Sequence, residues 1–262
     1  MRLALIADLH FGDVAEGIAE LLAASLRAAA PDLVLVAGDL TMRARRHEFA
    51  AYLDWESGLG LPTLVVPGNH DIAVKPLERF RDPFGRFRRA LDRPVEPELC
   101  QDGLYVAGFN TVAAWQPHLD WQEGRARRHV LARAGRRLQD AAPDTVRMLL
   151  AHHPFEAVPD QPRARPVLRA RAALDLFARH RVGVVMSGHT HRSFRRRLSH
   201  RDATIVSLGA PTAMSNRQRG EANGFWLLDL ERRRLRTQLM LRGDADAGFG
   251  AAGDAETVDL PA

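Results

Sequence analysis

"DLVLVAGD", residues 32–39, is an apolar run closed by a glycine and an aspartate. Its length and its wealth of valine and leucine read as a strand buried on both faces. The same form recurs on either side, as "RLALIAD" at residues 2–8 and "PTLVVPGNHD" at residues 62–71. Between these runs lie "AEGIAELLAASLRAAA", with Ile18, Leu21, Leu22 and Leu26 at helical spacing, and "RHEFAAYLDWESG", helical up to a glycine stop at Gly58. The opening of the chain is therefore βαβαβ, which predicts an α/β fold with a parallel sheet covered by helices.

The pattern continues. "GLYVAGFNT", "TVRMLLAHHP" and "VGVVMSGHTH" read as strands, and "ARRHVLARAGRRLQDA" and "VLRARAALDLFARH" as helices. The end differs: "DATIVSLGAP", "GFWLLDL" and "RRLRTQLML" are consecutive strands, which predicts an antiparallel meander. From Gly243 the chain turns to glycine, alanine and aspartate. The sequence reading is thus a folded domain over residues 1–242 and a loose acidic tail over 243–262.

Composition sets bounds. The chain has 262 residues, enough for a sizeable core. Cys100 is the one cysteine, which rules out an internal disulfide and a thiolate-built metal site. No apolar stretch has the length of a membrane span. "MRLALIADLHFG" is interrupted by Asp8 and His10 and lacks a cleavage-like site, so the expected location is cytoplasmic. The formal charge is +5, and Lys75 is the only lysine. Because the acidic stretch after Gly243 contains no basic residue, the body is more positive than the whole and suits anionic substrates in general. The arginine runs at Arg43–Arg46, Arg125–Arg128 and Arg195–Arg197 read as solvated faces and hairpin edges before they read as a nucleic-acid groove.

The strand ends carry the chemistry. They present Asp8-x-His10, Gly38-Asp39, Gly68-Asn69-His70-Asp71, His152-His153-Pro154 and Gly188-His189-Thr190-His191. The carboxyl edge of a parallel sheet is where ligands bind. Residues two apart point to one side, so Asp8 can share a site with His10, and His189 with His191.

This ordered series, D-x-H, G-D, G-N-H-D, H-x-P, G-H-x-H, resembles the calcineurin-like metallophosphoesterase family from Asp8 to His191. The resemblance implies a four-layer αββα sandwich of two mixed sheets, with the terminal meander in the second sheet. It implies two divalent or mixed-valence metals at the carboxyl ends of the strands. Asp8, His10 and His191 would hold one, Asp39 would bridge, and Asn69, His152 and His189 would complete the other. Oxygen and imidazole donors without thiolate suit manganese, iron or zinc. His153 is read as structural. His70 would face the substrate, to stabilise phosphoryl charge or protonate the leaving oxygen, with Asp71 bonded to its far side to hold orientation and basicity. A hydroxide held between the metals would attack phosphorus.

Length and block spacing resemble compact bacterial members that act on small phosphodiesters, of cyclic nucleotide or glycerophosphodiester type. A nuclease is the less favoured alternative, because only a meander follows the last histidine block. A lipid-linked nucleotide pyrophosphatase would want an apolar flap, and the Asp71–Cys100 insert is rich in arginine. A non-enzymatic scaffold would show lost ligands, and none is missing. Asn110 and Thr111 in "GFNT", and the Trp115–Trp121 loop with His118, are weaker candidates for substrate contact or a lid. Nothing in the sequence speaks to oligomeric state.

Overall fold

The structure is a computed structural model and describes residues 1–114, 122–158, 165–243 and 248–261. The Trp115–Trp121 loop and His118 lie outside the described residues. The first half runs β1 (Arg2–Ile6), α1 (Ile18–Ala29), β2 (Leu33–Val36), α2 (Arg46–Leu59), β3 (Thr63–Val65), a 3-10 turn (Asn69–Asp71), α3 (Pro76–Arg81), α4 (Gly85–Leu91), β4 (Glu98–Gln101) and β5 (Leu104–Gly108). The second runs α5 (Arg128–Asp140), β6 (Val146–Leu150), α6 (Ala170–Arg179), β7 (Val182–Ser187), β8 (Phe194–His200), β9 (Ala203–Gly209), β10 (Gly224–Glu231), β11 (Arg234–Arg242) and β12 (Phe249–Asp259).

Two mixed sheets result, ordered β12-β11-β10-β1-β2-β3 and β4-β5-β6-β7-β9-β8. The unbroken apolar runs have a direct cause. Leu3, Leu5, Leu33 and Leu35 face the second sheet, where they meet Val106, Met148, Val184 and Leu208. Their neighbours Ala4, Ile6, Val34 and Val36 face α1 and α2 through Leu22, Leu26, Phe49 and Tyr52. On the far side Leu149 and Val185 pack on Val130, Leu138 and Phe177 of α5 and α6. The layers are therefore αββα. Each fully buried leucine or valine contributes about 1.5–3 kcal/mol. Among the described residues no helix is long and apolar enough to cross a membrane.

Three expectations need correction. The meander does not lie in the second sheet. β9 joins β7 in parallel, with Val184 opposite Val206. β10 instead crosses to the first sheet and pairs antiparallel with β1, with Leu3 opposite Leu228. Alternation reveals a strand's buried face but not which sheet receives it. Helix α2 continues through Gly58 to Leu59 and stops at Gly60, whose φ of 67° is the left-handed cap. The third concerns the stretch after Gly243. Phe249–Asp259 is strand β12, paired antiparallel along β11 from Arg242–Phe249 to Arg234–Asp259. Its composition is poor in apolar residues, but backbone pairing needs none. Phe249 and Leu260 anchor it, buried. Glu256 meets the β8 arginines, 2.9 Å from Arg195 Nε and 2.7 Å from an Arg197 terminal nitrogen.

Candidate metal centre

The loops after β1, β2, β3, β6 and β7 meet at one edge of the sandwich. They are stitched by backbone bonds: Asp8 N–H to the Gly38 carbonyl (3.0 Å), His10 N–H to Asp39 (2.9 Å) and Gly188 N–H to His152 (3.0 Å). Asp8, His10, Asp39, His189 and His191 all have left-handed backbone, with φ of 54°, 50°, 54°, 70° and 57°. Each such non-glycine residue costs about 1–2 kcal/mol, and strain concentrated in this way belongs to functional sites. Gly38 is required by contact as well as by its φ of 84°, since a Cβ there would sit 2.7 Å from the Gly68 nitrogen.

The side chains form two groups around one carboxylate. In the first, Asp8 Oδ1 lies 3.5 Å from His191 Nε2, and His10 Nε2 lies 3.2 Å from His191 Nε2. In the second, His152 Nε2 lies 3.0 Å from Asn69 Oδ1, and the His189 and His152 rings are 5.2 Å apart. Asp39 stands between them, with Oδ2 3.7 Å from His10 Nε2 and Oδ1 3.4 Å from His152 Nε2. The seven residues singled out in the sequence are thus brought together, and sets of three among them, such as Asp8, His10 and His191, offer donor atoms within 4.8 Å of one another.

Tautomers and charge fit a cation. His152 Nδ1 donates to the Ala37 carbonyl and His191 Nδ1 to the Arg217 carbonyl, both at 2.7 Å. Each Nε2 is therefore the ring atom turned into the cluster. Asp8 Oδ1 is buried with no hydrogen-bond donor among the described residues. Without a metal ion, protons on Asp8 and His152 take its place at neutral pH. Burial pushes the Asp8 carboxyl up to about 8. Burial also opposes ionisation of Asp39, but His152 and His70 outweigh it and hold that carboxyl well below its ordinary range. Burial opposes a proton on His152 too, yet Asp39 and Asp8 push it up to about 9. Burial holds His10 and His189 well below their ordinary value and brings His191 down to about 4, so these imidazoles are neutral, the form that binds metal.

His153 is different. Its Nε2 donates to the Gln122 carbonyl at 2.9 Å, and its Nδ1 accepts from the Thr111 hydroxyl at 2.8 Å. Both nitrogens are thus engaged by Gln122 and Thr111, although one lies within 4.8 Å of ring nitrogens of His152 and His189, and the ring packs on His189 at 4.5 Å. Thr111 is thereby a support for His153, and Asn110 Oδ1 accepts the Val112 N–H within its own turn at 3.0 Å.

The family signature of calcineurin-like phosphoesterases matches residues 1–193. The chain belongs to the calcineurin-like phosphoesterase family. It is a metal-dependent phosphoester hydrolase. It is 29% identical over 246 residues to a protein of Synechococcus sp. described as "Probable cyclic nucleotide phosphodiesterase", with 88% of each chain covered. The fold is also that of a dimetal phosphatase from Danio rerio (TM-score 0.69, 13% identity, 100% of this chain and 99% of the other). A purple acid phosphatase from yellow lupin, Lupinus luteus, gives a TM-score of 0.70 at 12% identity over 99% of this chain and 53% of the other.

Within this phosphoesterase the "GNHD" turn departs from expectation. Asp71 does not bond His70. Its Oδ1 accepts from Thr41 N–H (2.9 Å) and the Thr41 hydroxyl (2.9 Å), and its Oδ2 from Leu40 N–H (3.1 Å) and Gly68 N–H (2.9 Å). Asp71 ties the β2 loop to the β3 loop, and the Met42 carbonyl takes the part expected of it, accepting from His70 Nδ1 at 2.7 Å. His70 stands edge-on to His10, with ring centroids 4.8 Å apart. Its Nε2 is 3.1 Å from an Arg217 terminal nitrogen. Arg217 and the carbonyls of Ala37, Met42 and Arg217 are the site groups that sequence reading missed. Carbonyls carry no signal in sequence, and the "SNRQRG" arginines are two among many.

Proposed function

We propose that this phosphoesterase uses two metals to hydrolyse small phosphodiesters, of the cyclic nucleotide or glycerophosphodiester type. The observation that carries the proposal is the Asp39 carboxylate, with one oxygen toward each of two donor groups. Asp8, His10 and His191 would hold one ion, Asn69, His152 and His189 the other, and Asp39 both. The oxygen-and-imidazole donor set favours manganese, iron or zinc. When bound, such ions activate water and neutralise phosphoryl charge.

The chain's own groups do the rest. The Ala37 and Arg217 carbonyls fix the tautomers of His152 and His191. The Met42 carbonyl fixes His70 with Nδ1 protonated, so Nε2 is the atom that exchanges a proton with the leaving oxygen. In the net reaction water oxygen bonds to phosphorus, the ester P–O bond breaks, and the departing oxygen gains a proton. The name of the Synechococcus relative supports the cyclic nucleotide class.

The test is kcat/KM under one manganese concentration for bis-nitrophenyl phosphate, nitrophenyl phosphate, a cyclic nucleotide and a single-stranded oligonucleotide. The diesters should lead. Preference for the monoester would defeat the diesterase reading, and fast oligonucleotide cleavage with steep salt dependence would move it to a nuclease.

A further inference from the structure

Arg217 takes part in the site twice. Its backbone carbonyl orients His191, while its guanidinium reaches Nε2 of His70, which like His191 packs on His10. The loop that carries it is clamped to the β1 loop. Asn216 N–H donates to the Asp13 carbonyl at 3.1 Å, Val14 bridges Ser215, and the Thr212 hydroxyl donates to the Asp8 carbonyl at 2.7 Å. Arg217 N–H is itself held by the Ser215 hydroxyl at 3.1 Å. The residue is therefore fixed relative to the donor cluster while its half-buried side chain reaches His70. There the guanidinium is paired with an imidazole and not with a carboxylate. A neutral nitrogen is a weak partner for a fixed cation, and a planar fork of N–H donors matches phosphate oxygens.

We propose that Arg217 is a substrate-binding residue whose guanidinium moves from His70 Nε2 to a non-bridging oxygen of the substrate phosphate. The exchange seats the phosphate and at the same time opens His70 Nε2 to the leaving oxygen. The inference rests on the phosphoesterase reading above, and it adds the group that senses the phosphate.

The experiment measures inorganic phosphate binding by calorimetry on manganese-reconstituted protein, in wild type, Arg217→Gln and Arg217→Lys. Each is repeated in the His70→Ala background. A charge-assisted bond is worth about ten- to a hundredfold in affinity. Arg217→Gln should weaken phosphate binding by about that factor in both backgrounds, raise KM for bis-nitrophenyl phosphate, and leave manganese content unchanged, because the bond to His191 is made by backbone. Arg217→Lys should recover part of the loss, which also shows that the fold survives substitution. Unchanged phosphate affinity in Arg217→Gln would overturn the inference. So would a loss that disappears in the His70→Ala background, since Arg217 would then act only by orienting His70. A wild-type chain that binds manganese but hydrolyses no phosphoester would overturn the functional reading itself, an outcome separate from either result on Arg217.

Discussion

Replacing Asp71 by alanine should cost stability, and should leave the hydrogen bond from His70 to the Met42 carbonyl in place. In the folded chain its carboxylate accepts the N–H groups of Leu40, Thr41 and Gly68 and the Thr41 hydroxyl. The hydroxyl has a second acceptor in the His70 carbonyl at 3.2 Å, so alanine strands the backbone donors. A buried donor without a partner costs about 1–3 kcal/mol, giving about 3–9 kcal/mol for the set. An offset comes from the charge. Burial and the nearby Asp39 raise the Asp71 carboxyl to about 6. Relative to an ordinary carboxyl near 4, removal of that ion at neutral pH returns about 3 kcal/mol. The net loss centres near 3 kcal/mol, or roughly 6–12 °C in Tm for a domain of this size. The assay is thermal unfolding of chelator-treated protein, paired with a pH–rate profile of manganese-loaded protein well below its Tm. An unchanged Tm would refute the tie between the loops. An unchanged Tm with a shifted pH profile would restore Asp71 as the partner of His70.

His70→Ala should retain both metals and lose about 10²–10⁴ in rate; the loss should shrink with nitrophenolate as leaving group, and metal analysis showing a missing ion would make His70 a ligand instead. Metal-free protein should become less stable as pH rises from about 7 to about 9. Burial raises folded Asp8 to about 8, and the flanking carboxylates, against burial, raise His152 to about 9. Above about pH 7 the unfolded histidines are neutral as well, so the native state holds the extra protons of Asp8 and His152 up to about pH 9 and stability falls through that window by at most about 1.4 kcal/mol per pH unit per proton, whereas below about pH 6.5 the buried neutral His10, His189 and His191 act in the opposite sense. Asp39, held low, loses its contribution only as pH falls below the carboxylate range. Manganese should flatten or reverse the slope, because binding needs deprotonated ligands; melts in chelator that do not change with pH would contradict this. Truncation after Arg242 should lower Tm, since it strips β12 and the buried Phe249 and Leu260, worth about 1.5–3 kcal/mol each. An unaltered melt would support a loose tail.

The donor cluster was legible because parallel strands buried on both faces read as unbroken apolar runs. A polar group straight after such a run, as at Asp8, Asp39 and His189, stands at the carboxyl edge whatever the rest of the fold does. Other features depend on partners remote in sequence. Trp226, Leu228 and Leu230 show that one face of β10 is buried, but both sheets offer an apolar face. β12 is held by backbone pairing that its alanines and glycines do not announce. Asp71 was misassigned because its partners are mostly peptide N–H groups, identical at every position. Arg217 lies 26 residues beyond His191 and meets it only through the crossing from β9 to β10.

The central claim is a two-metal centre joined by Asp39, and it is tested most directly by counting metal. Wild type and Asp39→Ala would be reconstituted with manganese, desalted and analysed for manganese per chain, with bis-nitrophenyl phosphate turnover and circular dichroism on the same samples. The account predicts about two ions per wild-type chain, and loss of metal and turnover together in a folded Asp39→Ala. Fewer than one ion per folded wild-type chain, or an Asp39→Ala protein that keeps both its metal and its rate, would contradict it.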